Sequence, residues 1–253
     1  SQRPHRSTVM FVAFSAEEIQ RKGSISFVND YLRVNNIQID AMINMDIIGS
    51  STSAIGAIND DTIRLYSADP NESASRHLAR TINLLGSRHF PEMTIELQPG
   101  VDRPERYGDH MSFSEAGFAS VRFVEMLEET DRHHTERDNL EDVQITYLMR
   151  ATQTVLAIST ALADGLRPPR SVQLRDAGNG QRTLVWERVP GATGYVVALR
   201  PPGSLIYDPS FEVTDNQVTW DGFAQPRFVA VAVAAKDASG LIGPFSFEYA
   251  ITN

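Results

Sequence analysis

The segment Val9-Met10-Phe11-Val12-Ala13-Phe14-Ser15-Ala16-Glu17-Glu18 joins six apolar residues to a pair of acids. An unbroken apolar run of this length is typical of a buried strand, so we expect residues 9–14 to form one. Two carboxylates at the end of a buried strand are costly unless another group compensates their charge. A metal ion is the commonest compensation, and an acid beside a metal can move protons. The pair Glu17-Glu18 is therefore the first candidate for a functional site.

The composition restricts the class of protein. The 253 residues carry a net charge of −9, so a general nucleic-acid partner is not expected. The absence of cysteine leaves His, Asp and Glu as metal ligands. No apolar stretch approaches the ~18 residues of a membrane span, and no signal peptide is recognisable. The chain enters its first expected strand within about eight residues, so a start that is processed or truncated is an expectation.

Residues 1–165 alternate strand and helix signals, which predicts an α/β domain with a mixed, mostly parallel sheet and helices on both faces. Ser24 is expected to cap the first helix, and Gly86 is expected to end the second. The strands are expected at residues 9–14, 39–48, 62–67, 93–97 and 119–124, and the helices at residues 24–34, 73–85 and 141–163.

Residues 166–253 have a different character, with short alternating strands between turn residues after a linker at residues 165–170. This spacing predicts an all-β sandwich. Trp186 in Leu184-Val185-Trp186, and Tyr195 after Pro190-Gly191, resemble a fibronectin type III domain, in which we expect both rings to pack in the core. The strands are expected at residues 171–174, 183–186, 194–199, 217–220, 227–234 and 245–251.

Three groups of polar residues follow expected strands of the α/β domain. They are Glu17-Glu18, Asp46 after Met42–Met45, and His133-His134 before the last helix. Taken alone, the Glu-Glu pair is explained as solvated charge, Asp46 as a turn or cap residue, and the His-His pair as part of a surface loop. Ligands of open α/β sheets gather at the carboxyl ends of the strands, so the three groups together predict a metal site of the kind that a metal-dependent hydrolase needs.

The order and local sequence of these groups resemble the zinc aminopeptidase family, which includes bacterial leucyl aminopeptidases, glutamate carboxypeptidase II and, more distantly, glutaminyl cyclase. The resemblance covers residues 7–163. It rests on four ordered motifs: Val12-Ala13-Phe14-Ser15-Ala16-Glu17-Glu18 with Gly23-Ser24, Ile43-Asn44-Met45-Asp46-Ile47-Ile48-Gly49, Gly108-Asp109-His110-Met111-Ser112-Phe113 with Gly117, and His134-Thr135-Glu136-Arg137-Asp138.

The resemblance implies a role for each matching residue. Glu17 corresponds to the general base that deprotonates water and later protonates the leaving amine. Glu18 and His134 correspond to ligands of one zinc ion, and Asp46 to a ligand of a second. Zinc accepts carboxylate and imidazole ligands and activates bound water, which agrees with these roles.

Four further residues are implied in supporting roles. Asp109 and His110 resemble a pocket-lining Ser-Asp-His motif that orients ligands or contacts substrate, with Gly108 in place of the serine. His133 stands where the family often has a tyrosine that stabilises the oxyanion. Asp138 is expected either to hold the His134 loop or to cap the following helix.

Two ligands that the family supplies from an earlier part of its chain have no counterpart here. They are a histidine in a His-x-Asp motif and an aspartate that bridges the metals, and no histidine of this chain is followed two positions later by Asp. The family binds two zinc ions in a complete site, whereas this chain is expected to bind one or none. A missing N-terminal fragment or a homo-oligomer is expected to cover the exposed sheet.

The leading hypothesis is therefore a zinc-dependent exopeptidase that removes N-terminal residues from a peptide substrate, in a secreted or periplasmic protein. One alternative is a catalytically inactive scaffold or binding fragment, because two family ligands are absent. Another is an acyl transferase of the glutaminyl cyclase type, which also uses a Glu-Glu pair, an Asp and a late His.

Overall fold

The computed structural model describes residues 5–252, and the chain divides into two compact units. One unit comprises Phe11–Ala157, and the other runs from Ile158 onward together with the N-terminal stretch that ends at Met10. The division falls within the last long helix. The domain boundary expected at residues 165/166 stays a prediction.

The α/β unit is built on a four-stranded mixed sheet with the strand order β1-β4-β2-β3. The pairs β1–β4 and β2–β3 are parallel, whereas β4 and β2 are antiparallel. Every residue of β4 is buried, as expected for a central strand. The strands are β1 (Met42–Met45), β2 (Thr62–Ser67), β3 (Thr94–Leu97) and β4 (Ser120–Glu125).

The helices of the α/β unit follow from local sequence. The Ser73 side chain accepts a hydrogen bond from the Arg76 amide and caps α2, and Leu78, Ile82 and Leu85 form its buried face. The helices are α1 (Lys22–Ser26, continued by a π-helical segment at Phe27–Arg33), α2 (Ala74–His89), α3 (His110–Glu115) and α4 (Ile145–Asp164), with a 3₁₀ turn at Leu140–Asp142 before α4.

The predicted strand at residues 9–14 is wrong, because this segment belongs to no strand in the described structure. Phe11 is 92% exposed, and only Phe14 packs well, with its ring centroid 5.5 Å from Phe27 and 5.9 Å from Phe113. An apolar run needs a backbone partner to form a strand, and none of the described strands pairs with this one.

Other elements differ from the predictions mainly at their ends. The strand expected at residues 39–48 shortens to β1, and α2 continues through Gly86 instead of ending there. Ser24 lies inside α1, where its hydroxyl is 2.8 Å from the Ser112 hydroxyl, and it is not a cap. The helix α3 and the strand β8 were not predicted.

The second unit contains the predicted all-β sandwich. One sheet has the order β11-β10-β7-β8, with β12 paired to β10, and the other has the order β5-β6-β9. The strands are β5 (Gln173–Gly178), β6 (Gln181–Val185), β7 (Gly194–Arg200), β8 (Ser210–Val213), β9 (Gln217–Trp220), β10 (Ala230–Lys236), β11 (Ile242–Phe245) and β12 (Tyr249–Ala250), with a 3₁₀ turn at Asp221–Ala224.

Both sheets contribute to one apolar core in the sandwich. Trp186 and Tyr195 are each 3% exposed and meet edge to face with ring centroids 5.2 Å apart. Leu184 and Val197 belong to the same cluster. The expected core role of the two aromatic residues is confirmed.

None of the described helices combines the length and the apolar composition that a bilayer span requires.

Candidate active site

A cavity of about 760 Å³ in the α/β unit brings together segments that are distant in the sequence. It lies where β1 and β4, which are parallel, reach their carboxyl ends, and Asp46 and Glu125 stand there. Six predicted site residues line it: Glu17, Glu18, Asp46, His133, His134 and Asp138. Asp109 and His110 are not among the lining residues.

The acid pair sits on a tight turn between the extended segment and α1. The Arg21 amide donates to the Glu17 carbonyl at 2.8 Å, and the Lys22 amide donates to the Ala16 carbonyl at 3.1 Å. A Cβ atom on Gly23 would lie 2.1 Å from the Ser15 carbonyl oxygen, so only glycine permits this fold-back. The turn leaves both carboxylates directed at the cavity.

Glu18 meets His134 across the cavity. The His134 Nε2 atom is 3.6 Å from Glu18 Oε2, and the side chains are 67% and 71% exposed. Two ligands of a tetrahedral zinc ion at 2.0–2.2 Å lie about 3.4 Å apart. The pair therefore fits two positions around one ion.

Asp46 is held by an arginine. Arg122 Nη2 donates to Asp46 Oδ2 at 2.7 Å, and Arg122 Nη1 donates to Asp102 Oδ2 at 2.7 Å. The side chains of Arg122 and Asp102 are 4% and 0% exposed, whereas that of Asp46 is 40% exposed. Asp46 thus presents its carboxylate at the cavity with one oxygen occupied.

The electrostatics of the cavity act on Glu17. Burial raises the pKa of the Glu17 carboxyl, the carboxylates of Glu18, Asp46 and Asp109 raise it further, and Arg122 opposes them. A carboxylate with a raised pKa accepts a proton more readily, which is the property a general base needs.

Asp109 and His110 are buried beside the cavity. His110 is 0% exposed, its Nε2 atom lies 2.8 Å from the Val101 carbonyl, and burial lowers its pKa. Burial likewise raises the pKa of Asp109, against a hydrogen bond from Ser24. Asp109 immediately precedes α3, and His110 is the first residue of that helix.

His133 faces the cavity as a neutral imidazole. Its Nδ1 atom contacts Nη2 of Arg106, and burial followed by the Arg106 charge lowers its pKa. The carboxylates of Glu128 and Asp138 oppose this shift. A neutral ring can donate or accept a hydrogen bond at the cavity without a charge of its own.

The described residues fit zinc only in part. Glu18 and His134 offer two ligands at a suitable separation, but residues 5–252 contain no group of three or more His, Cys, Asp or Glu side chains arranged to hold a metal. A catalytic zinc site usually has three protein ligands. The arrangement corresponds to an incomplete site.

Three charged residues at or beside the cavity, Arg122, Asp102 and Glu125, were not predicted from the sequence. Arg122 and Glu125 stand in the apolar strand β4, and a charged residue in a buried strand requires compensation just as Glu17-Glu18 does. Glu125 is 4% exposed, accepts a 2.6 Å hydrogen bond from the Ser50 amide, and has a pKa raised by burial to about 8. The criterion applied to the acid pair could have identified both strand residues.

Comparisons with known proteins bear on the same region. Residues 1–159 match the family described as Peptidase family M28. A probable zinc metalloprotease of Pyricularia oryzae is 28% identical over 245 residues, which cover 83% of this chain and 49% of that protein. A probable zinc metalloprotease of Phaeosphaeria nodorum is 30% identical over 194 residues, which cover 66% of this chain and 39% of that protein.

The solved structures include a similar protein, the LapA aminopeptidase of Legionella pneumophila. It is 20% identical with a TM-score of 0.47, and the match covers 61% of this chain and 39% of LapA. The chain spans about half the length of the curated relatives it matches, or less.

Proposed function

The chain belongs to peptidase family M28, and from this premise we propose that it carries part of the active site of a zinc-dependent peptidase. The relatives named as probable zinc metalloproteases support the metal and the reaction class. The observation that carries the proposal is the 3.6 Å separation of Glu18 and His134, with Glu17 in the same cavity.

Each residue has a role in the proposed hydrolysis of a peptide bond. Glu18 and His134 would hold one zinc ion, and Asp46 would offer a ligand to a second. Zinc, when bound, lowers the pKa of water and polarises the carbonyl group. Glu17 would take a proton from the attacking water and return it to the nitrogen of the leaving amine. His133, neutral and partly exposed, would donate a hydrogen bond to the oxygen that becomes negative.

We further propose aminopeptidase specificity, meaning the removal of N-terminal residues. The lining of the cavity contains more carboxylates than guanidinium groups, which favours the ammonium group of a free N-terminus. The resemblance to leucyl aminopeptidases supports the same choice.

The remaining ligands are proposed to come from an N-terminal fragment of the same protein or from a second copy of the chain. This proposal is supported by the exposed Phe11 and by β1, which is an edge strand of the described sheet. The C-terminal sandwich is proposed to be a fibronectin type III-like module, and the protein is proposed to be secreted or periplasmic. Trailing sandwich modules suit secreted peptidases, which is an argument by analogy.

The incomplete ligand set favours a second candidate for the chain alone, an inactive scaffold or binding fragment. Both candidates are tested on the full-length protein and on this chain in parallel. Zinc content is measured by elemental analysis, and activity is measured on an aminoacyl anilide and on the same compound with a blocked amino group. We expect zinc and activity in the full-length protein, with loss of activity on the blocked compound.

Three outcomes would contradict parts of the proposal. Full-length protein with less than one zinc ion and no hydrolysis would exclude the peptidase. Equal cleavage of free and blocked substrates would exclude the aminopeptidase. Cyclisation of an N-terminal glutamine peptide without hydrolysis would instead support the acyl transferase of the glutaminyl cyclase type.

A further inference from the structure

We propose that Arg122 is a positioning residue for Asp46, and that residue 108 is glycine because the Arg122 guanidinium occupies the space of a side chain there. The inference deepens the proposed function, since it gives Asp46 a metal-facing role. It concerns the part of the site that the zinc aminopeptidase resemblance does not explain, namely Gly108 in place of the family's serine.

The strand register brings Arg122 to Asp46. Arg122 of β4 pairs with Asn44 of β1 in the parallel ladder. Side chains alternate along a strand, so Asp46, two residues after Asn44, is directed to the face that Asn44 and Arg122 share. The result is the 2.7 Å hydrogen bond from Nη2 to Asp46 Oδ2.

The guanidinium is fixed by two further acceptors. Nη1 donates to Asp102 Oδ2 at 2.7 Å and to the Arg106 carbonyl at 2.9 Å. Because Arg122 and Asp102 are buried almost completely, movement of the arginine would remove the hydrogen bond to Oδ2 of a buried carboxylate, whose Oδ1 is held by Arg103. The Arg122 head group is therefore a rigid support.

Gly108 makes room for this support. A Cβ atom at position 108 would lie 2.9 Å from both Cζ and Nη1 of Arg122, and 2.9 Å from Nδ2 of Asn44. Cβ atoms in proteins essentially never lie within 3.0 Å of another heavy atom, so a side chain at position 108 would displace the guanidinium. Because the guanidinium is held at three acceptors, the displacement would cost hydrogen bonds, the one to Asp46 among them.

The hydrogen bond from Arg122 leaves one carboxylate oxygen of Asp46 free to contact a cation. Oδ2 is taken by Arg122, while Oδ1 accepts no hydrogen bond from any described residue, and the carboxylate lines the cavity. Outer partners that fix a ligand's orientation raise the affinity of a metal site. Without Arg122, Asp46 would rotate freely and bind a metal less well.

The test is a double-mutant cycle on the full-length protein with Arg122→Ala, Gly108→Ala and the double variant. The zinc dissociation constant is measured by competition with a chromophoric chelator, and the free energy of unfolding by urea. We expect each single variant to weaken zinc binding about 10- to 100-fold. The double variant is expected to match Arg122→Ala, because Gly108 acts through the arginine.

A matched control separates positioning from general destabilisation. Arg76 is also fully buried and is held by Asp69 at 2.7 Å and by the Gln98 carbonyl at 2.6 Å, but it does not line the cavity. Arg76→Ala should lower stability without changing the zinc affinity. Arg122→Lys, which keeps the charge and loses the planar fork, should lie between wild type and Arg122→Ala.

Two results would overturn the inference while leaving the proposed function intact. One is wild-type zinc affinity in a folded Arg122→Ala protein. The other is a Gly108→Ala effect that persists in full in the Arg122→Ala background, which would assign the effect to Asn44. Wild-type protein that binds no zinc would instead overturn the proposed function, and this role with it.

Discussion

The Nε2 atom of His134 lies 3.6 Å from Oε2 of Glu18, although the two residues come from opposite ends of the α/β unit's sequence. Both side chains are more than two-thirds exposed, so packing does not force them together. An exposed pair of this kind contributes at most about 1 kcal/mol to stability. The separation of the two atoms matches that of two ligands of one zinc ion, which is the role proposed for the pair.

Replacing Glu18 or His134 by alanine should separate binding from stability. In the full-length protein we expect zinc affinity to fall more than about 100-fold, since even outer-shell partners account for 10- to 100-fold. The free energy of unfolding of the metal-free protein should change by less than about 1 kcal/mol. Chelator competition and urea unfolding measure the two effects. Asp215→Ala, in an exposed pair with Arg188 in the sandwich, is the control and should change neither. Unchanged zinc affinity in both variants would refute the ligand roles.

Glu17→Gln should abolish proton transfer while leaving the metal in place. Glutamine matches the shape of glutamate but cannot accept a proton, so we expect kcat of the full-length enzyme to fall by about 10²- to 10⁴-fold. Zinc content should stay at the wild-type value because Glu17 is not a proposed ligand. Steady-state kinetics and elemental analysis check the two statements. A variant that lost its zinc together with its activity would show that Glu17 binds metal instead.

The sequence singled out residues that the fold brings to one cavity, although it was wrong about the segment that leads to them. Glu17, Glu18, Asp46 and His134 all line this cavity, and their roles there stay predictions. The apolar run at residues 9–14 has the pattern of a buried strand but pairs with no strand among the described residues. A sequence pattern shows that a segment is apolar, but it does not show whether a neighbouring strand is present to pair with it.

The supporting residues could not be read from local patterns. Arg122 reaches Asp46 only because β4 lies next to β1, and that neighbour relation depends on the three-dimensional strand order. Gly108 resembles an ordinary loop glycine until its distance to Arg122 is known. Short elements such as α3, with six residues, carry too little periodicity to be predicted.

Glu125 should make stability depend on pH. Burial raises its pKa from 4.5 to about 8, with Glu128 adding to the shift and the amides of Ser50 and Gly49 and the charge of Arg64 opposing it. The folded state thus binds the proton more tightly than the unfolded state. The associated stability is complete below the unfolded pKa of about 4.5 and is lost as the pH rises through about 8.

Glu125→Gln should remove this dependence. Between about pH 5 and pH 7, we expect the unfolding free energy of the variant to fall less steeply than that of wild type, by up to about 1.4 kcal/mol per pH unit. Urea unfolding across that range measures the difference. Glu115→Gln, an exposed acid of the same unit, should run parallel to wild type. Identical slopes for wild type and Glu125→Gln would contradict a raised pKa.

Two substitutions in the sandwich core should lower its free energy of unfolding by different amounts. Trp186→Ala should destabilise the sandwich by about 3–5 kcal/mol, since it removes a buried ring. Tyr195→Phe should cost about 1 kcal/mol, because the Val189 amide donates to the Tyr195 hydroxyl at 3.0 Å and would lose its acceptor. Both tryptophans of the chain, Trp186 and Trp220, lie in this region, so their fluorescence reports its unfolding. Equal effects of the two changes would argue against this core.

Phe11 provides a test of whether a partner covers the α/β unit. Its side chain is 92% exposed, so Phe11→Ser should change the unfolding free energy of this chain alone by no more than about 0.5 kcal/mol. In the full-length protein a covered phenylalanine would be worth about 1.5–3 kcal/mol, and the same substitution should then be destabilising by that amount. Phe14→Ser is the matched control, because Phe14 already packs against Phe27 and Phe113 and should destabilise both forms. If Phe11→Ser leaves the unfolding free energy of the full-length protein unchanged as well, neither an N-terminal fragment nor a second copy covers this segment. The reason is that removing a buried aromatic ring always lowers the free energy of unfolding.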